Sequence, residues 1–317
     1  MTASTQNAIE VRSLTRTHGS VRALDDVTLA FRRNTITGLL GRNGAGKTSL
    51  MSILSAQDRQ TSGTVLVDGE PPFEHARVVE RMCFIRDNQR YPDDYKLKHV
   101  LRGARIGFPE WDQALADELV SLFRIPEKPV VKKFSRGQLS ALGIVIGLAS
   151  RAPITFFDEP YLGLDATART HFYDVLLRDY AEHPRTIVLS THLIDEMEQL
   201  LERVVILDRG RLLRDADVDE LRGAAHQVTG RDADVAAYAE GRSVLSRHRI
   251  GGLATAVIDG QPSAQDRAAA AERGVDIGSV GLQELVAAYG FDGADTPTER
   301  PDADTARPAT IANGVRS

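Results

Sequence analysis

The sequence predicts an α/β fold built on a largely parallel sheet, and three observations predict it. Short, almost wholly apolar runs recur along the chain, at "TITGLL" (35–40), "PITFFDEP" (153–160) and "RTIVLSTH" (185–192), as strands buried on both faces require. A glycine-rich loop, GRNGAGKT (41–48), separates the first run from a helical stretch. Residues 94–150 change character and read as mostly helical, so strands and helices interleave as in an α/β sheet.

Each element follows from its local pattern. "AIEVRSL" (8–14) alternates apolar and polar residues, "THGS" (17–20) is a turn, and "VTLAF" (27–31) is β-rich. Residues 46–57 form a helix that opens directly from the glycine loop, and "GTVLVDG" (63–69) is a strand bounded by glycines. In "DQALADELVSLF", Leu115, Leu119, Leu122 and Phe123 fall on one helical face. "RVVILDRGRLL" (203–213) begins another buried strand. Beyond about Gly223 the pattern weakens. Strand-like "LATAVIDG" and "GVDIGSV" alternate there with helical "AQDRAAAAERG" and "LQELVAAYG", which suggests a small α+β appendix over 223–291. Residues 292–317 are Pro, Asp, Thr and Ala with almost no large apolar side chains, a composition that predicts a disordered tail. No internal repeat is visible.

Composition narrows the function. The chain has 317 residues, 42% hydrophobic and 26% charged, a globular balance. A net charge of −5 gives no reason to expect a nucleic-acid partner, since a DNA binder usually shows a basic stripe. The single cysteine, Cys83, rules out an internal disulfide and fits a reducing compartment. The opening residues lack the basic-then-apolar pattern of a secretory signal, and the longest apolar run, 141–149, is far too short to span a bilayer.

Gly41, Gly46, Lys47 and Thr48 fit G-x-x-x-x-G-K-[ST], with Asn43, Gly44, Ala45 and Ser49 filling out the stretch. The glycines let backbone N–H groups turn inward around phosphates, and the helix that follows adds its positive dipole end. Lys47 supplies a point charge for the β- and γ-phosphates, and the Thr48 hydroxyl is a hard oxygen suited to Mg²⁺. A phosphate loop needs a carboxylate partner. Asp158, at the end of a buried strand, can hold Mg²⁺, and Glu159 stands beside it.

The order GRNGAGKT, FSRGQ (134–138), FFDEP, GLD (163–165), STH resembles the ATP-binding subunit of a bacterial ABC transporter, of the exporter type, over roughly residues 8–222. The guanine-reading N/TKxD of a GTPase is not found. The resemblance implies a P-loop NTPase with an N-terminal antiparallel β subdomain, a RecA-like core and a helical subdomain at about 94–150, all within 1–222. It implies ATP and Mg²⁺ as cofactors and ATP hydrolysis as the activity, with Glu159 polarising the attacking water. His192 resembles the switch histidine that contacts the γ-phosphate. Ser135, Gly137 and Gln138 belong to the signature, which faces the ATP of a partner subunit. Asp165 resembles the D-loop aspartate between the two sites. His18, in "RTHGSVRAL", stands where the family usually has a tyrosine that stacks on adenine.

Two departures stand out. The usual LSGGQ signature is FSRGQ here, so Arg136 places a long cation near phosphate. The glutamine expected after the next strand, a nucleotide and metal ligand, is either Gln89 by chemistry or replaced by Asp87 by position; Gln89 is favoured. The implied assembly is a homodimer or heterodimer of ATPase subunits driving a separate integral membrane permease. Tyr91 to Tyr95 would meet that permease, and the ATPase would sit in the cytoplasm, peripheral on the inner face of the cell membrane. The alternative is a soluble ATPase of the same type, acting on a protein assembly without a permease.

Overall fold

The computed structural model describes residues 6–289. The expected tail, 292–317, and the last two residues of the expected appendix lie outside the described residues. The chain opens with β1 (Asn7–His18) and β2 (Val21–Arg32), an antiparallel hairpin closed at the expected turn, followed by β3 (Ile36–Leu40). A helix, Lys47–Leu54, leads to β4 (Ser62–Val67), which returns to pair antiparallel with β1. The sheet β2-β1-β4 is the N-terminal antiparallel subdomain.

The central sheet adds β5 (Met82–Arg86), β6 (Ile154–Asp158), β7 (Thr186–Ser190), β8 (Arg203–Asp208) and β9 (Arg211–Asp217) in the order β5-β6-β7-β3-β8-β9. Its first five strands run parallel, and β9 turns back antiparallel on β8. All five residues of β3, β6 and β7 are buried, which explains their continuous apolar runs. Alternation still shows in where they pack. Leu39, Phe156 and Val188 join Leu50 and Met51 of the Lys47–Leu54 helix in one core. Leu40, Phe157 and Leu189 face Leu119, Leu142 and Phe172 in another. Register aligns the carboxyl ends: Leu39 and Asp158 both pair with Ser190, and Arg86 pairs with Asp158. Ligands of open parallel sheets bind at such an edge.

The region between β5 and β6 carries helices Leu97–Gly107, Gln113–Leu122 and Arg136–Ala149. The Asp112 carboxylate caps the second, accepting the Leu115 N–H at 2.9 Å. Ser140 to Ala149 are all buried, so the longest apolar run is a core helix. No helix among the described residues is long and apolar enough to cross a membrane.

Four more strands, β10 (Ala225–Arg231), β11 (Val244–Ile250), β12 (Leu253–Asp259) and β13 (Asp276–Gly278), form an antiparallel sheet in the order β11-β12-β10-β13. Its own core includes Val228, Val235, Tyr238 and Ile258. Helix Leu282–Tyr289 packs back on the main core through Leu282 and Leu285. Sequence patterning found β12, β13 and the last two helices but not β10, helix Asp232–Ala239 or β11. "VLSRHRI" is an exposed edge strand whose charged residues mask any apolar alternation.

Candidate functional site

The phosphate loop forms one wall of a cleft of about 540 Å³, lined by Asn43, Gly44, Gly46, Lys47, Thr48 and Ser49 and, opposite, by Asp158 and Glu159. Gly46 must be glycine. Its φ is +104°, and a Cβ there would lie 2.6 Å from the Ala23 carbonyl oxygen. Lys47 is 6% exposed, and its ammonium donates to the carbonyl oxygens of Gly41 (2.7 Å) and Arg42 (3.3 Å). Glu159 Oε1 lies 3.9 Å from it. Burial lowers the Lys47 pKa, and the nearby Glu159 and Asp158 charges oppose that shift.

Asp158 ends β6 as a hydrogen-bond hub. The Thr48 hydroxyl donates to Oδ2 at 2.7 Å and the Ser190 hydroxyl to Oδ1 at 2.6 Å. Ser190 in turn accepts the Glu159 N–H at 2.9 Å. Adjacent strands thus fix the two carboxylates relative to the loop. Glu159 itself has φ +47°, a left-handed conformation unusual outside glycine and of the kind found where function holds the backbone under strain. Thr48 and Asp158 supply two hard oxygens side by side. That donor set fits Mg²⁺, which keeps waters and takes its remaining ligands from phosphate.

His192 follows β7. Its Nδ1 lies 3.1 Å from Glu159 Oε2 and 3.2 Å from the Tyr161 hydroxyl. Tyr161 is almost fully buried, and burial pushes its pKa up to about 12. Neither Tyr161 nor Ser190 stood out in the sequence, because each gains meaning only through partners about thirty residues away.

The signature opens helix Arg136–Ala149. Ser135 caps it, accepting the Gln138 N–H at 3.2 Å, and Gln138 Oε1 returns the bond to the Ser135 N–H at 2.9 Å. Gly137 lets the helix approach the loop after β6 closely: a Cβ there would lie 2.5 Å from the Gly163 carbonyl oxygen. Asp165 ends that loop and caps helix Ala166–Glu182 through the Ala168 N–H at 2.8 Å. Within one chain, neither the signature nor Asp165 lines the phosphate cleft.

Two expectations need correction. Gln89 does not reach the cleft. The chain turns after β5, with the Gln89 N–H donating to the Arg86 carbonyl at 3.2 Å. This turn carries Gln89 into a separate groove with Tyr91, Tyr95 and His99, while Arg86, Asp87 and Asn88 line the cleft. Asp87 lines the cleft instead, and it is engaged by Arg136, whose Nη2 donates to both carboxylate oxygens at 2.8 and 3.0 Å. This bond is the main cause that raises the Arg136 pKa. The two departures from the usual motifs thus pair with each other. His18 is also absent from the cleft wall. It ends β1 opposite Val21, its Nε2 is 3.9 Å from Asp58, and the wall on that side is Val21, Arg22 and Ala23.

Comparison with known proteins agrees with this geometry. The ABC transporter family model matches residues 24–162. The ABC transporter ATP-binding protein YtrB of Bacillus subtilis is 30% identical, aligned over 68% of this chain and 73% of its own length. The daunorubicin resistance ATP-binding protein DrrA3 of Streptomyces coeruleorubidus is also 30% identical, over 68% and 70%. Among solved structures, an ATP-binding subunit of an ABC transporter superposes with a TM-score of 0.61 at 24% identity, covering 68% of this chain and 92% of that one. A dimeric bacterial ABC transporter cassette superposes at 0.58 and 21% identity, covering 66% and 98%. The structures establish the fold, and the sequence relatives establish the family: the chain belongs to the ATP-binding proteins of ABC transporters and is an ATPase of that family.

Proposed function

We propose that this ATPase works as a pair of subunits, each lending its signature to the other's Mg-ATP, and powers export through a separate membrane permease. The observation that carries the proposal is the hydrogen-bonded line from Thr48 through Asp158 and Ser190 to the Glu159 N–H, at the foot of the phosphate-loop cleft. Lys47 and the loop N–H groups of Asn43 to Ser49 hold the triphosphate. Thr48 and Asp158 would hold Mg²⁺, which when bound would offset phosphate charge. Glu159, fixed by its backbone, orients the attacking water, and His192 reaches the γ-phosphate. Ser135, Gly137 and Gln138 sit at a helix N-terminus outside their own cleft, which supports a role toward the partner's phosphate, with Asp165 beside the same junction.

The groove that receives Gln89 supports the permease contact. It measures about 410 Å³ and includes Phe84, Ile85, Tyr91, Pro92 and Tyr95. The buried Tyr91 hydroxyl has no hydrogen-bond partner among the described residues. Docking there would place the ATPase on the inner face of the cell membrane. Residues 1–222 are the proposed ATP-binding unit, with 223–291 as an accessory unit. Export is favoured because several relatives are named for daunorubicin or doxorubicin resistance. Glu159→Gln is expected to keep ATP binding, slow hydrolysis by about 10²–10⁴-fold and accumulate an ATP-bound dimer on size exclusion. Hydrolysis at the parent rate would remove Glu159 from its role.

A further inference from the structure

Tyr161 lies two residues past Glu159, 2% exposed, with its ring edge-on to that of His192 at 5.6 Å between centroids. Its hydroxyl oxygen accepts the His192 N–H and the Thr191 hydroxyl, both at 3.0 Å. Two accepted bonds fill the oxygen's lone pairs and leave only its own hydrogen to give. The remaining neighbour that can accept it is His192 Nδ1, at 3.2 Å.

That nitrogen has a second suitor. Glu159 Oε2, at 3.1 Å, is an acceptor and can bond Nδ1 only if Nδ1 carries hydrogen. Tyr161 can donate only if Nδ1 is bare. The two contacts are alternatives, and with Thr191 Oγ1 donating to the phenol, Nδ1 is the acceptor left for the Tyr161 hydrogen among the described residues. We infer that Tyr161 is a positioning residue for ATP hydrolysis: by donating to Nδ1 it fixes the His192 tautomer with hydrogen on Nε2 and leaves the Glu159 carboxylate without a hydrogen bond from the histidine. This rests on the roles of Glu159 and His192 proposed above.

The surroundings hold the arrangement. Burial keeps the Tyr161 hydroxyl protonated well beyond neutral pH. Thr191 Oγ1 accepts the Leu193 N–H at 2.9 Å, so the phenol is tied to the backbone on both sides of His192. Nε2 has no hydrogen-bond partner among the described residues, and the His192 side chain is 46% exposed. The free edge of the ring is then a donor, which suits a phosphate oxygen. Glu159 keeps its charge for water.

The test uses the full chain labelled with ¹⁵N-histidine. Nuclear magnetic resonance should show His192 with hydrogen on Nε2 in the parent protein, and a mixture or the Nδ1–H form in Tyr161→Phe. Nδ1–H in the parent, or an unchanged tautomer in the variant, overturns the inference, and the parent spectrum decides this even if the variant folds poorly. In steady-state kinetics Tyr161→Phe should lower kcat by about tenfold and leave KM for ATP nearly unchanged. A parent-like kcat overturns the inference. His192→Ala separates the two layers. If it is inactive while Tyr161→Phe is parent-like in rate and tautomer, only the role of Tyr161 falls. If His192→Ala hydrolyses ATP at the parent rate, the reading of His192 falls and takes the inference with it.

Discussion

Lys47 is where sequence and environment meet most directly. The motif around it is contiguous, so its place in the cleft was legible, as were those of Thr48 beside it and of Asp158 and Glu159 at a strand end. What the sequence did not reveal is its burial, which lowers its pKa from the usual 10.5. Phosphate binding needs the ammonium form, which is lost as pH rises through the lowered value. Affinity for a non-hydrolysable ATP analogue should therefore be full near neutrality and begin to fall at a lower pH than an ordinary lysine would dictate. Calorimetric titration across alkaline pH checks this, and a constant affinity up to the usual lysine range would contradict it. For folding stability the sign is opposite: between the lowered pKa and 10.5 the unfolded chain binds the extra proton, so this group makes stability rise with pH. Asp87, by contrast, was legible only by position. Whether it or Gln89 reaches the cleft depends on the turn after β5, which no local pattern specifies. Tyr161 was invisible because its hydroxyl acts on a residue in another strand–loop junction.

At the scale of elements, the parallel strands were legible because burial on both faces demands apolar runs, whereas β11 was hidden by its exposure. The packing of the signature helix makes a demand that a single substitution can test. Gly137 sits in its first turn, where alanine would normally stabilise a helix by up to about 1 kcal/mol. Here the added Cβ would meet backbone, the Gly163 oxygen at 2.5 Å, and neither partner can move without shifting an element. Overpacking of this kind costs about 1–3 kcal/mol, so the steric effect should win. Gly137→Ala is expected to lower thermal stability and ATPase activity together. A stabilised variant would show that the helix and the loop after β6 do not approach so closely. The Arg136–Asp87 pair joins the same helix to the loop after β5 across an exposed surface. Its contribution should fade at high salt. A double-mutant cycle of Arg136→Ala and Asp87→Ala, read by hydrogen exchange at residues 135–138, should show coupling at low salt and lose it at high salt. Coupling that persists unchanged at high salt would contradict an ion-pair link.

For the whole molecule, the order of the motifs was enough to read the fold of residues 8–222. The register of β3, β6 and β7 then brings the expected groups to one sheet edge. The relation between two copies is not written in one chain's packing. The signature helix opens outside the cleft of its own subunit, and the proposed working site takes its phosphate loop from one chain and its signature from another. Complementation tests it most directly. Lys47→Ala disables a subunit's own loop, and Ser135→Arg disables its signature. Each variant alone should be nearly inactive, because every site in its dimer carries a defect. In a mixed dimer, purified through two different tags, both defects fall in one site and the other is whole. Mixing the two inactive proteins should therefore restore part of the ATPase activity. The contradicting result is a verified mixed dimer that stays inactive while a covalently linked tandem with one wholly intact site hydrolyses ATP.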